Sequence, residues 1–138
     1  METETRHLFV YGTLMRASGS PYARLLEARA RFVGEGWTPG RLYHLGRYPG
    51  AVFGDDCANK VYGELFLLRG NTLLATLDVY EGCGGQGTKA DLFYRHIVKV
   101  RLALGGAVSA WVYPFAGAVC GRPLIASGRF HLQRRRLQ

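Results

Sequence analysis

The chain has 138 residues, the length of one ordinary domain, and 48% of them are hydrophobic, enough to bury a core without covalent staples. Three cysteines (Cys57, Cys83, Cys120) lack CxxC spacing, and four histidines (His7, His44, His96, His131) lack HExxH or HxH spacing, which argues against a disulfide framework and against a metal site. The formal charge is +8, and its excess lies in the last third: all ten acidic residues fall in 1–91 beside ten of the cations, whereas 92–138 carry eight Lys or Arg and no acid.

His7-Leu-Phe-Val-Tyr11 predicts a short strand that stops at Gly12. Ser20-Pro21 opens a helix, Ser as N-cap and Pro at the first helical position, running over Tyr22–Ala30 with Leu25, Ala28 and Phe32 as its apolar stripe. Two strands are expected at Phe32–Trp37 and Arg41–Leu45, joined by a turn at Thr38-Pro-Gly40. Arg47-Tyr-Pro-Gly50 is a second turn, followed by the apolar trio Ala51–Phe53 and an exposed loop at 54–59. Val61–Leu68 is a strand. Asn71 is placed to cap a helix over Thr72–Val79 with Leu73, Leu74 and Leu77 on one face. Glu81 to Gly87 breaks that helix. Phe93–Leu102 and Ala107–Tyr113 are partner strands about the turn Gly105-Gly106, and the rest is loop and tail. With 19 glycines the chain favours turns over long helices. The order, β-α-β-β-β-α-β-β, is α+β, with enough strands to curl into a barrel.

The polar, acidic start at 1–6 is unlike a signal peptide, and the longest apolar stretch, 107–120, is interrupted by Ser109, Pro114 and glycines. A single soluble, cytoplasmic domain over 1–138 is the expectation, with 134–138 as a basic tail. The cationic last third fits an anionic partner such as a nucleic acid, or a solvated Arg-rich surface. No nucleic-acid-binding motif accompanies it, so nucleic acid is not expected to be the partner.

Gly82-Cys-Gly-Gly-Gln-Gly87 matches GxGxxG but follows a helix instead of a strand, with no acid beyond Asp91 to hold a ribose. The same stretch has Gly-Thr-Lys where a P-loop needs Gly-Lys-Thr. No nucleotide cofactor is expected. Phe9-Val-Tyr-Gly-Thr-Leu14 ends a strand in a turn whose successive N–H groups can hold a carboxylate or an oxyanion; the same residues also read as a plain β-turn with Tyr11 in the core. Glu81 falls at the C-terminal end of the second helix. The dipole there disfavours an anion, which suits a proton acceptor; a solvated helix end is the other reading. Tyr113 reads as a pocket residue or as core, and Tyr94 and Arg47 are weaker pocket candidates. Cys83 is a rival nucleophile without a histidine nearby in sequence.

Taken together, Leu8-Phe-Val-Tyr-Gly-Thr-Leu14 and Leu77-Asp-Val-Tyr-Glu-Gly82 resemble the YGxL loop and the catalytic-glutamate segment of the γ-glutamylcyclotransferase-like superfamily. Tyr48-Pro-Gly50, Val61–Leu65, Tyr94-Arg95 and Ala110–Tyr113 are similar to further landmarks in the same order, and Ile125–Phe130 to the closing segment. The most similar branch is the small γ-glutamylamine cyclotransferase or AIG2-like group. The resemblance implies a mixed β-barrel with flanking helices and an enzyme that converts a small γ-glutamyl amide into 5-oxoproline and an amine, without metal or cofactor. It assigns Glu81 as general acid and base, and Tyr11, Gly12, Thr13, Leu14 and Tyr113 as substrate-binding residues. A non-catalytic binding module on the same scaffold is the alternative. Two departures stand out. The glycine-rich stretch Cys83–Asp91 is longer than the family's usual link, which suggests a lid or altered leaving-group choice, and Arg129-Phe130 replaces an acid and a tryptophan in the closing segment.

Overall fold

A computed structural model describes residues 6–46, 48–70, 72–81 and 93–130, of 79–81 the backbone alone. Among these residues six strands and two α-helices run in the order β1 (His7–Val10), α1 (Pro21–Arg29), β2 (Ala30–His44), β3 (Pro49–Phe53), β4 (Lys60–Leu68), α2 (Thr72–Glu81), β5 (His96–Leu102) and β6 (Ala107–Val112), with a 3-10 turn at Arg16–Ser18 between β1 and α1. The sheet order is β3-β2-β4-β1-β6-β5, and β2 also pairs with β5. Those pairings close β2, β4, β1, β6 and β5 into a five-stranded barrel, leaving β3 as an extra strand on the far half of β2. The β1–β6 pair is parallel and the other pairs are antiparallel, so the barrel is mixed, as the resemblance implies.

Alternation along the strands sorts the core into two layers. Phe9, Tyr11, Val61, Leu65, Val100 and Val112 fill the barrel interior. The intervening Leu8, Val10, Phe66 and Leu68 face outward and are covered by Leu26 of α1 and by Leu73, Leu74 and Leu77 of α2. Each fully buried side chain of this kind contributes about 1.5–3 kcal/mol relative to exposure.

Ser20 caps α1 as expected, its Oγ accepting the Ala23 N–H at 3.1 Å, with Pro21 opening the helix. The buried face differs from the predicted stripe: Ala23 and Leu26 are buried, while Leu25 is half-buried and Ala28 exposed. The 23, 26, 30 spacing is as helical as the 25, 28, 32 spacing. Phe32 already belongs to β2, which starts with no intervening loop.

The predicted turn at Thr38-Pro-Gly40 is a correction: these residues lie inside one 15-residue strand. Pro39 is tolerated there because it marks the change of neighbour, with β4 pairing residues up to Pro39 and β3 taking over from Gly40. Val33 is the extra residue of a β-bulge against β4. The apolar trio 51–53 is the end of β3, and the element string therefore matches the expected one with its strands differently placed. Helix α2 runs to Glu81, two residues past the predicted end. Strand β5 starts at His96, with Phe93 making only an isolated bridge to Phe115. Gly105 and Gly106 form the β5–β6 turn with φ of 114° and 86°, a region that side chains strain.

The segment after Gly117 is more than loop. Pro123 O accepts the His44 N–H at 2.9 Å, Ile125 N–H donates to Leu42 O at 2.7 Å, and Gly128 O accepts the Tyr62 N–H at 2.8 Å. The closing segment is thus tied to β2 and β4. Asn71, Arg47, the glycine-rich stretch 82–91 and the tail 134–138 lie outside the described residues.

Candidate active site

Because β1 and β6 run parallel, with Leu8 opposite Trp111, their C-terminal ends reach the same rim of the barrel. Tyr11 to Leu14 leave β1 there, and Tyr113 leaves β6. The apolar face of α2 packs beside Leu14, so the helix reaches that rim as well.

The chain turns at once after β1: Met15 N–H donates to Gly12 O at 3.0 Å. The glycine is required by crowding. A Cβ at position 12 would fall 2.8 Å from Cγ of Pro49 and 3.0 Å from its Cδ. Thr13 O is held by two hydroxyls, Ser18 Oγ at 2.6 Å and Ser20 Oγ at 3.0 Å. A planar trans peptide carries its C=O and N–H on opposite sides, so fixing the Thr13 carbonyl also fixes the direction of the Leu14 N–H. On its other flank the turn is anchored to β4: Glu64, 9% exposed, accepts the Arg16 N–H at 2.9 Å and faces Arg16 Nε at 3.5 Å.

Tyr11 is buried in the barrel interior, which is the core reading of that residue. Its hydroxyl donates to Tyr113 O at 2.6 Å and accepts the Ala51 N–H at 3.2 Å. What the position presents to the rim is backbone. Tyr113 is 3% exposed, and its hydroxyl donates to Asp78 Oδ1 at 2.7 Å. Asp78 also receives Arg95 Nε, at 2.9 Å from Oδ1 and 3.2 Å from Oδ2. The Arg95 guanidinium stacks 4.5 Å from the Trp111 ring centroid. Asp78 lies three residues before Glu81 on α2, so the last turn of that helix is tied to the end of β6. Glu81 ends α2, and its side chain lies outside the described residues. Arg47 and Cys83 lie outside them too. Tyr94 is 47% exposed, its ring 6.2 Å from His96.

Sequence reasoning missed Ser18, Asp78 and Arg95. A serine two residues before a helix N-cap is a weak signal, and an aspartate in a helix gives no hint of a partner 35 residues away. A cleft of about 260 Å³ opens on the outer wall between β2 and β4, where Glu35 faces Glu64 and Trp37 faces Tyr62 across paired Gly36 and Gly63. It shares Met15 with the turn but contains none of the expected site residues. Of the cations in the last third, Arg95, Arg101 and Arg129 lie over aromatic rings: Trp111, Trp37 and Tyr62. Among the described residues no group of three potential metal-ligating side chains occurs, and no helix is long and apolar enough to cross a membrane.

A family model described as gamma-glutamyl cyclotransferase, AIG2-like, matches residues 8–132. The chain is 32% identical over 122 residues to the gamma-glutamylcyclotransferase family protein YtfP of Escherichia coli K12, covering 88% of this chain and 92% of that protein. The crystal structure of YkqA from Bacillus subtilis superposes with a TM-score of 0.67 at 25% identity over 92% of this chain, which spans only 40% of YkqA. An AIG2-like protein from Mus musculus matches with a TM-score of 0.71 at 24% identity, covering 94% of this chain and 90% of the mouse protein, a likeness of fold.

Proposed function

The chain belongs to the gamma-glutamyl cyclotransferase, AIG2-like family, and from that premise we propose that it is a γ-glutamylamine cyclotransferase-like enzyme with Glu81 as general acid and base. The observation that carries the reading is the bond from the Tyr113 hydroxyl to Asp78, which joins the last turn of α2 to the strand end beside the Gly12 turn. A base on that helix turn and a row of backbone donors then border one rim.

The chemistry is intramolecular. Glu81 takes a proton from the α-ammonium of the γ-glutamyl amide. The freed amine attacks the γ-carbonyl carbon, forming the ring C–N bond and a tetrahedral oxyanion. The oxyanion collapses, the original amide C–N bond breaks, Glu81 returns its proton to the departing nitrogen, and the ring nitrogen releases its second proton to water, leaving the lactam and the Glu81 carboxylate. The products are 5-oxoproline and a free amine, and no electron leaves or enters. Since nucleophile and electrophile share one molecule, the enzyme chiefly folds the substrate and stabilises the oxyanion. The backbone N–H groups of the Tyr11–Leu14 turn would bind the glutamyl head, with the Leu14 N–H aimed by the locked Thr13 carbonyl. The route calls for neither metal nor nucleotide.

The test is a panel of γ-glutamyl amines and γ-glutamyl amino acids assayed for 5-oxoproline. Glu81→Gln is expected to cut turnover by about 10²–10⁴-fold while the fold persists. Retained turnover in that variant removes Glu81 from the mechanism. Thermal stabilisation by the amides without any product identifies a binding module instead.

A further inference from the structure

We propose that Asp78 is a positioning residue, a latch that aims Glu81 by tying the last turn of α2 to β6 through Tyr113 and Arg95. The proposal rests on the cyclotransferase reading of Glu81.

Leu77, on the apolar face of α2, is fully buried. Leu73, Leu74 and Leu77 hold the body of the helix against the barrel. The last turn carries no basic residue to engage its terminal carbonyls. Asp78 anchors this turn by polar contacts. Its Oδ1 accepts both the Tyr113 hydroxyl at 2.7 Å and Arg95 Nε at 2.9 Å. Hydrogen bonds to an ionised group are the stronger ones, and here both donors have further contacts of their own. Tyr113 is buried and its carbonyl accepts the Tyr11 hydroxyl. Arg95 is stacked on Trp111, the β6 residue opposite Leu8 of β1.

Glu81 follows Asp78 by three residues, so the two share a helix face about 4.5 Å apart along the axis. A displacement of the latch therefore moves the base almost directly. The Tyr11–Tyr113–Asp78 connection runs from the donor turn to the helix that carries the base, and it sets the spacing across the rim.

The experiment compares Asp78→Ala, Asp78→Asn and Tyr113→Phe on whichever γ-glutamyl amide the wild-type protein cyclises. For Asp78→Ala kcat is expected to fall about 10–100-fold with KM within about threefold, the mark of a misplaced group and not of lost binding. Asp78→Asn keeps an acceptor for the Tyr113 hydroxyl and is expected to recover part of the loss. Tyr113→Phe combined with Asp78→Ala is expected to be no worse than Asp78→Ala alone, because the hydroxyl acts through the carboxylate. Wild-type kcat in Asp78→Ala overturns the proposal, as does a loss confined to KM, which would make Tyr113 a substrate contact. If Asp78→Ala does not fold, Asp78→Asn and Tyr113→Phe decide by the same kcat criterion. Should the wild-type protein release no 5-oxoproline, the cyclotransferase reading falls by itself. The latch is then judged by hydrogen exchange: faster exchange in Asp78→Asn over 72–81, with α1 unchanged, supports it, and equal exchange overturns it.

Discussion

The hydroxyl of Tyr11 donates to the carbonyl oxygen of Tyr113 at 2.6 Å, joining the exit of the first strand to the exit of the last across 102 residues of chain. The Tyr11 hydroxyl oxygen in turn accepts the Ala51 N–H of β3 at 3.2 Å. One phenol thus ties three strand segments together at the rim that carries the proposed chemistry.

Tyr11→Phe leaves a buried carbonyl and a buried N–H without this partner. A destabilisation of about 1–3 kcal/mol is expected, since unsatisfied buried groups lose their solvation without recompense. Urea unfolding measures it, and a midpoint equal to wild type would show that the bonds contribute nothing net. Because the turn's backbone presents the donors, the variant is expected to keep measurable turnover.

Gly12→Ala forces a Cβ to within 2.8 Å of the Pro49 ring. Overpacking of this kind costs about 1–3 kcal/mol, and here it also displaces the donor turn, so turnover is expected to fall with stability. Shortening the neighbour relieves the clash: Gly12→Ala with Pro49→Ala is expected to be more active than Gly12→Ala alone. Simple additivity in the double variant would rule out the contact as the cause.

The two serines that grip Thr13 O make separable contributions. Ser18→Ala removes the 2.6 Å bond and is expected to cost about 0.5–1.5 kcal/mol. Ser20→Ala loses the α1 cap too, about 0.5–2 kcal/mol. Only the double variant frees the Thr13–Leu14 peptide to rotate, so its kcat is expected to drop more than the product of the single effects. Multiplicative kcat values would contradict the orientation argument.

Burial holds the His7 imidazole below its ordinary value of 6.5. The folded state then binds its proton less readily than the unfolded one. The contribution to stability is full above about pH 6.5 and is lost as the pH falls through the lower folded value. His7→Gln is expected to show a shallower decline of the thermal midpoint between about pH 7.5 and about pH 5 than the wild-type chain. Parallel declines would place the acid sensitivity elsewhere.

The interior of the fold was legible wherever the information was local. The strand–glycine exit at Tyr11-Gly12, the Ser20-Pro21 cap, the Leu73–Leu77 face and the Gly105-Gly106 turn each depend on neighbours within one turn or one hairpin. Thr38-Pro-Gly40 was misleading because proline and glycine mark turns when judged alone. In the barrel the same pair sits where a long strand exchanges one partner for another. The α1 stripe was misplaced for a related reason: two helical spacings fit the sequence, and only contact with β1 and β4 chooses between them.

The sequence by itself determined the short elements and turns, since backbone propensity and turn chemistry act over a few residues, and its motifs, by their resemblance to the family's landmarks, pointed to the family and its barrel. The tertiary structure alone decided what those motifs touch. That Tyr11 spends its hydroxyl on Tyr113, that Asp78 answers Tyr113 and Arg95, and that Ser18 and Ser20 converge on Thr13 all follow from strand register and helix docking. These depend on chain closure across tens of residues, and no local pattern encodes which distant donor will meet which acceptor.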